Sequence, residues 1–295
     1  MFHRSVGISC RPPPRNVEGR MRQRASMPFP VRSLKHSPTL KRTSGDEARL
    51  MPDQPRVPFP DPRLSGRGRD CLHCDVRHLA LCAALDEKAL QHLERIVSAV
   101  TLAPGQTLFD EGDSVKYVFN VLTGTLRLHK LLPDGQRQIT GFGLRGDFLG
   151  LSAEGCHPYS AEAVSQVELC RFHMREMRDL FSHFTELERR LLEMREEELI
   201  TAQDRMVTLG RRNPIEKISA FLLEFSHRQE RWGQAPTPLT LAMTRGDIAD
   251  YLGLTVETVS RTFTRLKSDG IIALPEATRV ELIDRERLND ILLRH

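Results

Sequence analysis

The sequence predicts an α+β protein in which two domains are joined by one long helix. Three observations carry this. Turn signals recur at short intervals over residues 101–172. Apolar residues then repeat every seven positions over residues 184–210. Further on, two short helical patterns flank a glycine turn and are followed by paired apolar runs. At 295 residues the chain has room for two ordinary domains and a tail. Its expected divisions are a basic tail (1–70), a cysteine segment with an all-β unit (71–183), the long helix (184–210) and a C-terminal domain (211–295).

The net charge of +4 is unevenly spread. Residues 1–70 hold 15 Lys/Arg against 6 Asp/Glu, whereas the remainder holds 28 against 33. Nucleic-acid binding therefore has to rest on local charge and a motif, not on bulk charge. The tail also carries eleven prolines and few large apolar residues. Such a segment buries too little surface to offset its ordering entropy and is expected to be disordered. A basic arm against DNA is one reading; a solvated tail, or a true start further on at Met51 or another Met, is the other. Cys10 is a bystander there. No apolar run approaches 18 residues, so no membrane span is expected. The N-terminus lacks the apolar core of a secretory signal, which points to the cytoplasm.

The thiols cluster in Cys71-Leu-His-Cys74-Asp-Val-Arg-His-Leu-Ala-Leu-Cys82, spaced C-x2-C-x7-C, and in a reducing compartment such clusters more often bind metal than pair. Asp86 then caps a helix with Leu90, Leu93, Ile96, Val97 and Val100 on one face. In the β region, Pro104-Gly105, Gly112-Asp113, Thr123-Gly124, Asp134-Gly135 and Gly146-Asp147 punctuate short strand-like runs. That spacing means an antiparallel sandwich or barrel.

In the long helix, Leu192, Leu199 and Met206 recur every seven residues, with Ala202 and Leu209 at the complementary positions. Such a seam seeks a partner helix, and a homodimer is expected. Arg195 is its one polar place. Pro214 opens a further amphipathic helix over residues 213–228. Thr244-Arg-Gly-Asp247 is a capping box opening a short helix, Gly253 makes a turn, and Thr255 caps a second helix. Apolar pairs at 271–274 and 280–283 read as a small wing. Together these form a winged helix-turn-helix, whose second helix enters the major groove of double-stranded DNA. Glu257, Ser260 and Arg261 share its outward face and are the candidate base readers. Val256, Val259, Phe263 and Leu266 face inward. Thr244, Arg245, Thr255 and Thr258 are candidate phosphate contacts.

A fourth thiol, Cys170, lies in the strand-like run Val167-Glu-Leu-Cys-Arg-Phe172, sharing a face with Glu168 and Phe172. Cys71, Cys74, Cys82 and Cys170 form a candidate soft-metal site, with Cys156 as the competing fourth ligand. His73 and His78 read as solvated. Structural zinc prefers two close cysteine pairs, whereas iron–sulfur clusters accept uneven spacing. Iron–sulfur, zinc and plain redox thiols all remain open on the residues alone. No nucleophile–base pair, glycine-rich phosphate loop or paired carboxylate site is present, so no enzyme is expected.

From Cys71 onward the order of parts resembles the CRP/FNR superfamily of transcription regulators. Gln138-Ile-Thr-Gly-Phe142, Met243-Thr-Arg-Gly-Asp-Ile248 and Tyr251-Leu-Gly-Leu-Thr-Val-Glu-Thr-Val-Ser-Arg261 resemble its oxygen-responsive FNR branch. The resemblance implies a cyclic-nucleotide-binding-like antiparallel β-roll, a long dimerisation helix and a C-terminal winged helix-turn-helix. It further implies an oxygen-labile [4Fe–4S] cluster on Cys71, Cys74, Cys82 and Cys170, and a palindromic TTGAT-like site read by Glu257, Ser260 and Arg261. An activator working with RNA polymerase on anaerobic or microaerobic genes would follow. The seven residues between Cys74 and Cys82 match rhizobial-type relatives; better-known members have five. Gly146-Asp-Phe-Leu-Gly150 is similar to the cyclic-nucleotide branch. Tyr159, however, stands where that branch keeps its phosphate-binding arginine, so no cyclic nucleotide is expected.

Overall fold

The structure, a computed structural model, describes residues 70–293. The tail expected over residues 1–70, Cys10 and Met51 included, lies outside the described residues except for Asp70.

Turns carry the chain from Cys71 to a 3-10 helix, Leu81–Ala84, that contains Cys82. Helix α1, Glu87–Ile96, follows with Asp86 as its cap, the carboxylate accepting from Ala89 N at 2.8 Å. The helical face expected to reach Val100 stops at Ile96, and Val97 opens strand β1, Val97–Leu102. Six consecutive antiparallel partners, from Val97↔Phe172 to Leu102↔Val167, satisfy that backbone better than another helical turn would.

Seven further strands complete the roll: β2 Thr107–Phe109, β3 Tyr117–Thr123, β4 Leu126–Leu131, β5 Arg137–Gly143, β6 Phe148–Leu149, β7 Ser160–Ala163 and β8 Val167–His173. They form two antiparallel sheets, β1-β8-β3-β6 and β2-β7-β4-β5. Strand alternation separates two cores. Val167 and Leu169 point into the roll with Phe119, Val121 and Leu126, while Cys170 and Phe172 face the cysteine segment and α1. Gly124 (φ +84°) turns β3 into β4 where a Cβ would sit 2.1 Å from the Gln166 carbonyl oxygen, so no side chain fits.

Helix α2, Met174–His183, was not foreseen. His173 caps it, and Met174, Met177 and Leu180 fix it against the core below the cysteines. Helix α3, Thr185–Arg211, is the long helix; Leu187 and Thr208 are its buried residues. Helix α4, Pro214–Arg231, starts with a full Asn213–Glu216 capping box. The remainder is β9 Leu239–Thr240, α5 Arg245–Leu252, α6 Val256–Ser268, β10 Ile272–Glu276, β11 Arg279–Leu282 and α7 Arg285–Leu293. Strands β10, β11 and β9 make the wing, to which sequence reasoning did not assign β9. Helix α7 was also unforeseen. Phe142 of the roll lies 5.1 Å from the Tyr251 ring and 6.1 Å from that of Phe225, so roll and C-terminal domain share one core.

Candidate functional site

The helix-turn-helix is built by its caps. Thr244 Oγ1 accepts from Asp247 N at 3.1 Å, and the Asp247 carboxylate accepts from Thr244 N at 2.9 Å. Gly253 takes the left-handed conformation (φ 60°) that reverses the chain after α5. Thr255 Oγ1 then accepts from Thr258 N at 3.2 Å and lies 3.0 Å from the Thr258 hydroxyl. Both threonines are thus partly engaged in holding the helix start.

On α6, Val259, Phe263 and Leu266 are buried, and Glu257, Ser260 and Arg261 are exposed together on the opposite face. Val256 departs from the expected pattern: it is 45% exposed. It occupies the first position of the helix, before the chain has turned its side towards the core, and Thr262 is buried alongside Val259 instead. Glu257 is held below the usual carboxylate range by backbone and Thr255 hydrogen bonds, with Arg261 assisting. Its oxygens are ready acceptors, and Arg261 presents its guanidinium donors beside them. Arg245 lies with its guanidinium 3.5 Å from the Phe263 ring centre, which orients it at the α5 start. Arg265 on the same helix and Arg279 on the wing are also exposed cations that sequence reasoning passed over.

The first helix is anchored from the roll. Asp247, 2% exposed, receives Arg127 at 3.0 Å and Arg137 at 3.1 Å, and Arg137 also reaches Asp250 at 3.0 Å. Burial pushes the Asp247 carboxyl up, but hydrogen bonds from Thr244 and the two arginines outweigh it and hold the group low. These arginines had no signal in the sequence, because their partners lie 110 or more residues away.

Cys71, Cys82 and Cys170 are buried in one apolar cluster with Val76, Leu81 and Phe172, and half-buried Cys74 packs against it. All four are reduced thiols. The cysteine segment packs over the face of β8 that carries Cys170 and Phe172. Cys71 N donates to Glu94 Oε1 at 2.8 Å, tying the segment to α1. Burial pushes the Cys71 thiol up to about 12, with Cys170, Cys82, Glu94 and Cys74 adding to the rise. Burial likewise pushes Cys82 up to about 11, with Cys74 assisting. A bound cation would have to displace these protons. Among the described residues, no three His, Cys, Asp or Glu side chains are grouped tightly enough to grip a single metal ion. Cys156 stands apart from the cluster and is disulfide-bonded. His73 bonds to Asp70 at the surface, and His78 is exposed.

On α3, Leu192, Leu199 and Met206 are 67%, 57% and 68% exposed, Leu209 is also exposed and Ala202 half-buried. Arg195 pairs with Glu198 one turn on. Tyr159 lines a cleft of about 410 Å³ with Leu128, Thr140, Arg195 and Glu198. Burial, with Glu198 assisting, pushes its hydroxyl up to about 12.

Comparison with known proteins agrees with this anatomy. Residues 99–184 match the family described as cyclic nucleotide-binding domain, and residues 216–291 the Crp-like helix-turn-helix domain. The nitrogen fixation regulation protein FixK of Bradyrhizobium diazoefficiens is 43% identical over 225 residues, covering 76% of this chain and 94% of that protein. The transcriptional activatory protein AadR of Rhodopseudomonas palustris is 40% identical over 209 residues, 70% of this chain and 87% of that protein. The solved structure of FixK2 from Bradyrhizobium japonicum superposes with a TM-score of 0.63 at 34% identity, over 66% of this chain and 97% of that one. No helix of the described residues is long and apolar enough to cross a membrane. With its roll, long helix and exposed recognition helix, the chain belongs to the CRP/FNR family of DNA-binding transcription regulators, and it is not an enzyme.

Proposed function

We propose that this protein is an oxygen-responsive activator that binds a palindromic TTGAT-like site as a homodimer while a [4Fe–4S] cluster is intact. The observation that carries the reading is the gathering of four reduced thiols from two distant stretches of chain, three buried in one apolar cluster and half-buried Cys74 packed against it, on a CRP/FNR scaffold. Four thiolates are the donor set of such a cluster. When bound, the cluster supplies a centre that dioxygen oxidises.

The chain's own residues do the rest. Cys71, Cys74 and Cys82 hold their segment against β8 through Cys170. The exposed seam of Leu192, Leu199, Ala202, Met206 and Leu209 pairs with a second copy. Glu257, Ser260 and Arg261 then read base edges in two successive major-groove faces, and Thr244, Arg245, Thr255 and Thr258 set the register. Half-buried Tyr159 stands where the cyclic-nucleotide branch keeps its phosphate-binding arginine, and on that ground no cyclic nucleotide is the effector in this reading. RNA polymerase is the downstream partner. The activator reading draws support from the relative AadR, a transcriptional activatory protein.

Replacing Cys170→Ala tests the ligand assignment. The variant is expected to fold, to take up no iron in the absence of oxygen, and to lose oxygen-dependent DNA binding. A Cys170→Ala protein that still assembles the cluster and still responds to air would show that Cys170 is not a ligand.

A further inference from the structure

We infer that the turn Arg145-Gly146-Asp147 carries the condition of the cysteine segment directly to the DNA-binding domain of the same chain, with Arg228 and Trp232 as the receiving residues. The inference deepens the proposed function and rests on its reading of the cysteine segment as the sensing element. The route does not pass through the dimer seam.

One side of the turn holds the cysteine segment. Arg145 Nη2 donates to the Asp75 carbonyl at 3.2 Å, between Cys74 and Cys82. Gly146 has φ +90°, and a Cβ there would come within 2.7 Å of Leu79 Cβ. Glycine at 146 is thus what lets Leu79 lie against the turn. Arg190 of α3 adds a weaker hold on the same stretch, donating to the Leu79 carbonyl at 3.4 Å.

The other side holds the end of α4. Trp232 Nε1 donates to the Arg145 carbonyl at 3.0 Å, and Arg228 Nη2 reaches both Asp147 carboxylate oxygens, at 2.6 and 2.5 Å. The same carboxylate accepts from Leu144 N at 2.8 Å, so the ion pair and the turn conformation share one group. Arg228 and Asp147 are both half-buried or better, with side chains 23% and 30% exposed. Parting them strands two charges in a poorly solvated place, so the turn and α4 move together. Helix α4 in turn supports the helix-turn-helix: Glu224 accepts from the Tyr251 hydroxyl of α5 at 3.1 Å, and Phe221 and Phe225 lie in the core beneath α6. Three consecutive residues therefore touch both the segment bearing the thiols and the helix that supports the reader.

A coupling of this kind is reciprocal, which makes it testable without any metal. The experiment uses the full chain, metal-free and thiol-reduced, and follows alkylation of Cys71 and Cys74 by peptide mass analysis. Trp232→Phe keeps an aromatic ring but deletes the indole N–H, and Arg228→Gln deletes the charge. Both are expected to speed labelling at least about five-fold. Arg285→Gln, which removes a pair to Glu230 on the same helix but away from the turn, is the control and is expected to leave labelling unchanged. Unchanged rates in the first two variants, or equal acceleration in all three, overturn the inference.

The reverse direction has its own reporter, because Trp232 is the one tryptophan of the chain. Leu79→Ala is expected to shift its emission maximum in the metal-free protein, and an unmoved maximum contradicts the relay. A protein that passes both tests yet never holds a cluster keeps the relay and loses the proposed cofactor. One that holds the cluster but fails both tests loses the relay alone.

Discussion

Arg261 shows how much a single side chain decides. It is exposed beside an ionised Glu257, on a helix whose inner face is locked by Val259, Phe263 and Leu266. Its five donors fit the two acceptors of a guanine edge, a pairing worth about 1–3 kcal/mol of discrimination against the wrong base. Arg261→Ala is expected to lower the preference for the specific site over random duplex by that amount, leaving salt-sensitive nonspecific binding in place. Titrations of both duplexes at two salt concentrations check it; equal losses on both would mean that Arg261 contacts only phosphate. The outward face of α6 was legible because helical spacing alone separates 257, 260 and 261 from 259, 263 and 266. Val256 was not, since spacing says nothing of where a helix end protrudes.

His157 offers a second single-residue test. It is 5% exposed, stacked on Phe109 with ring centres 3.8 Å apart, and burial lowers its pKa to about 4 against a weak opposing pull from Asp113. The unfolded chain therefore binds a proton between about pH 6.5 and 4 that the folded chain refuses. Stability should fall by up to about 3 kcal/mol as pH drops through that window and then level off. Urea midpoints across the window, compared with His157→Leu, check this: the variant's curve should be flatter by the same amount.

Among the elements, α3 is the one whose sequence and surroundings disagree most openly. Four of the five seam residues, Leu192, Leu199, Met206 and Leu209, are exposed on a 27-residue helix, and a helix of that kind needs a second surface. Leu199→Glu places a charge at the centre of the seam and is expected to leave a folded monomer by sedimentation. Affinity for a two-fold site should drop at least about a hundredfold, since one reader spans only one half-site. A variant that remains dimeric would place the interface elsewhere. Heptad spacing made this helix legible from Leu192 to Leu209. Helix α1 was legible at its start, where Asp86 caps it, but not at its end. Val97 and Val100 continue the apolar spacing, and only β8, about seventy residues further on, claims them for a strand. Helices α2 and α7 are short, and brief apolar repeats such as Met174, Met177 and Leu180 do not distinguish a helix from a buried loop.

At the scale of the molecule, the roll and the DNA-binding domain are joined by charge as well as by a shared core. Asp247 at once closes the capping box of α5, whose cap is Thr244, and is the meeting point of Arg127 and Arg137. Asp247→Asn removes one of the two carboxylates that each half-buried arginine meets, leaving Glu162 to Arg127 and Asp250 to Arg137, and weakens the cap, a loss expected at about 1–3 kcal/mol. Because the native carboxyl is held low, the contribution is lost as pH falls through its folded pKa, and Asn should abolish that part of the acid sensitivity. Urea unfolding of both proteins at neutral and acid pH measures it. The capping box was readable from Thr244 and Asp247, which stand within one helical turn. Its second duty was not, because Arg127 and Arg137 are distant in sequence and each reads as an ordinary surface cation. The cysteines fall between these cases: Cys71, Cys74 and Cys82 announce themselves by spacing, while Cys170 was placed by strand alternation and by likeness to a family.

The four clustered thiols are proposed to hold an iron–sulfur cluster whose integrity sets DNA affinity. The most direct test is one sample of protein purified without oxygen, in which visible absorption, iron and sulfide content and affinity for a TTGAT-like duplex are followed before and during exposure to air. A coloured protein is expected, with about four irons and four sulfides per chain, whose absorption and DNA affinity decline together. A colourless protein, with zinc or no metal, that binds the duplex equally before and after air would contradict it.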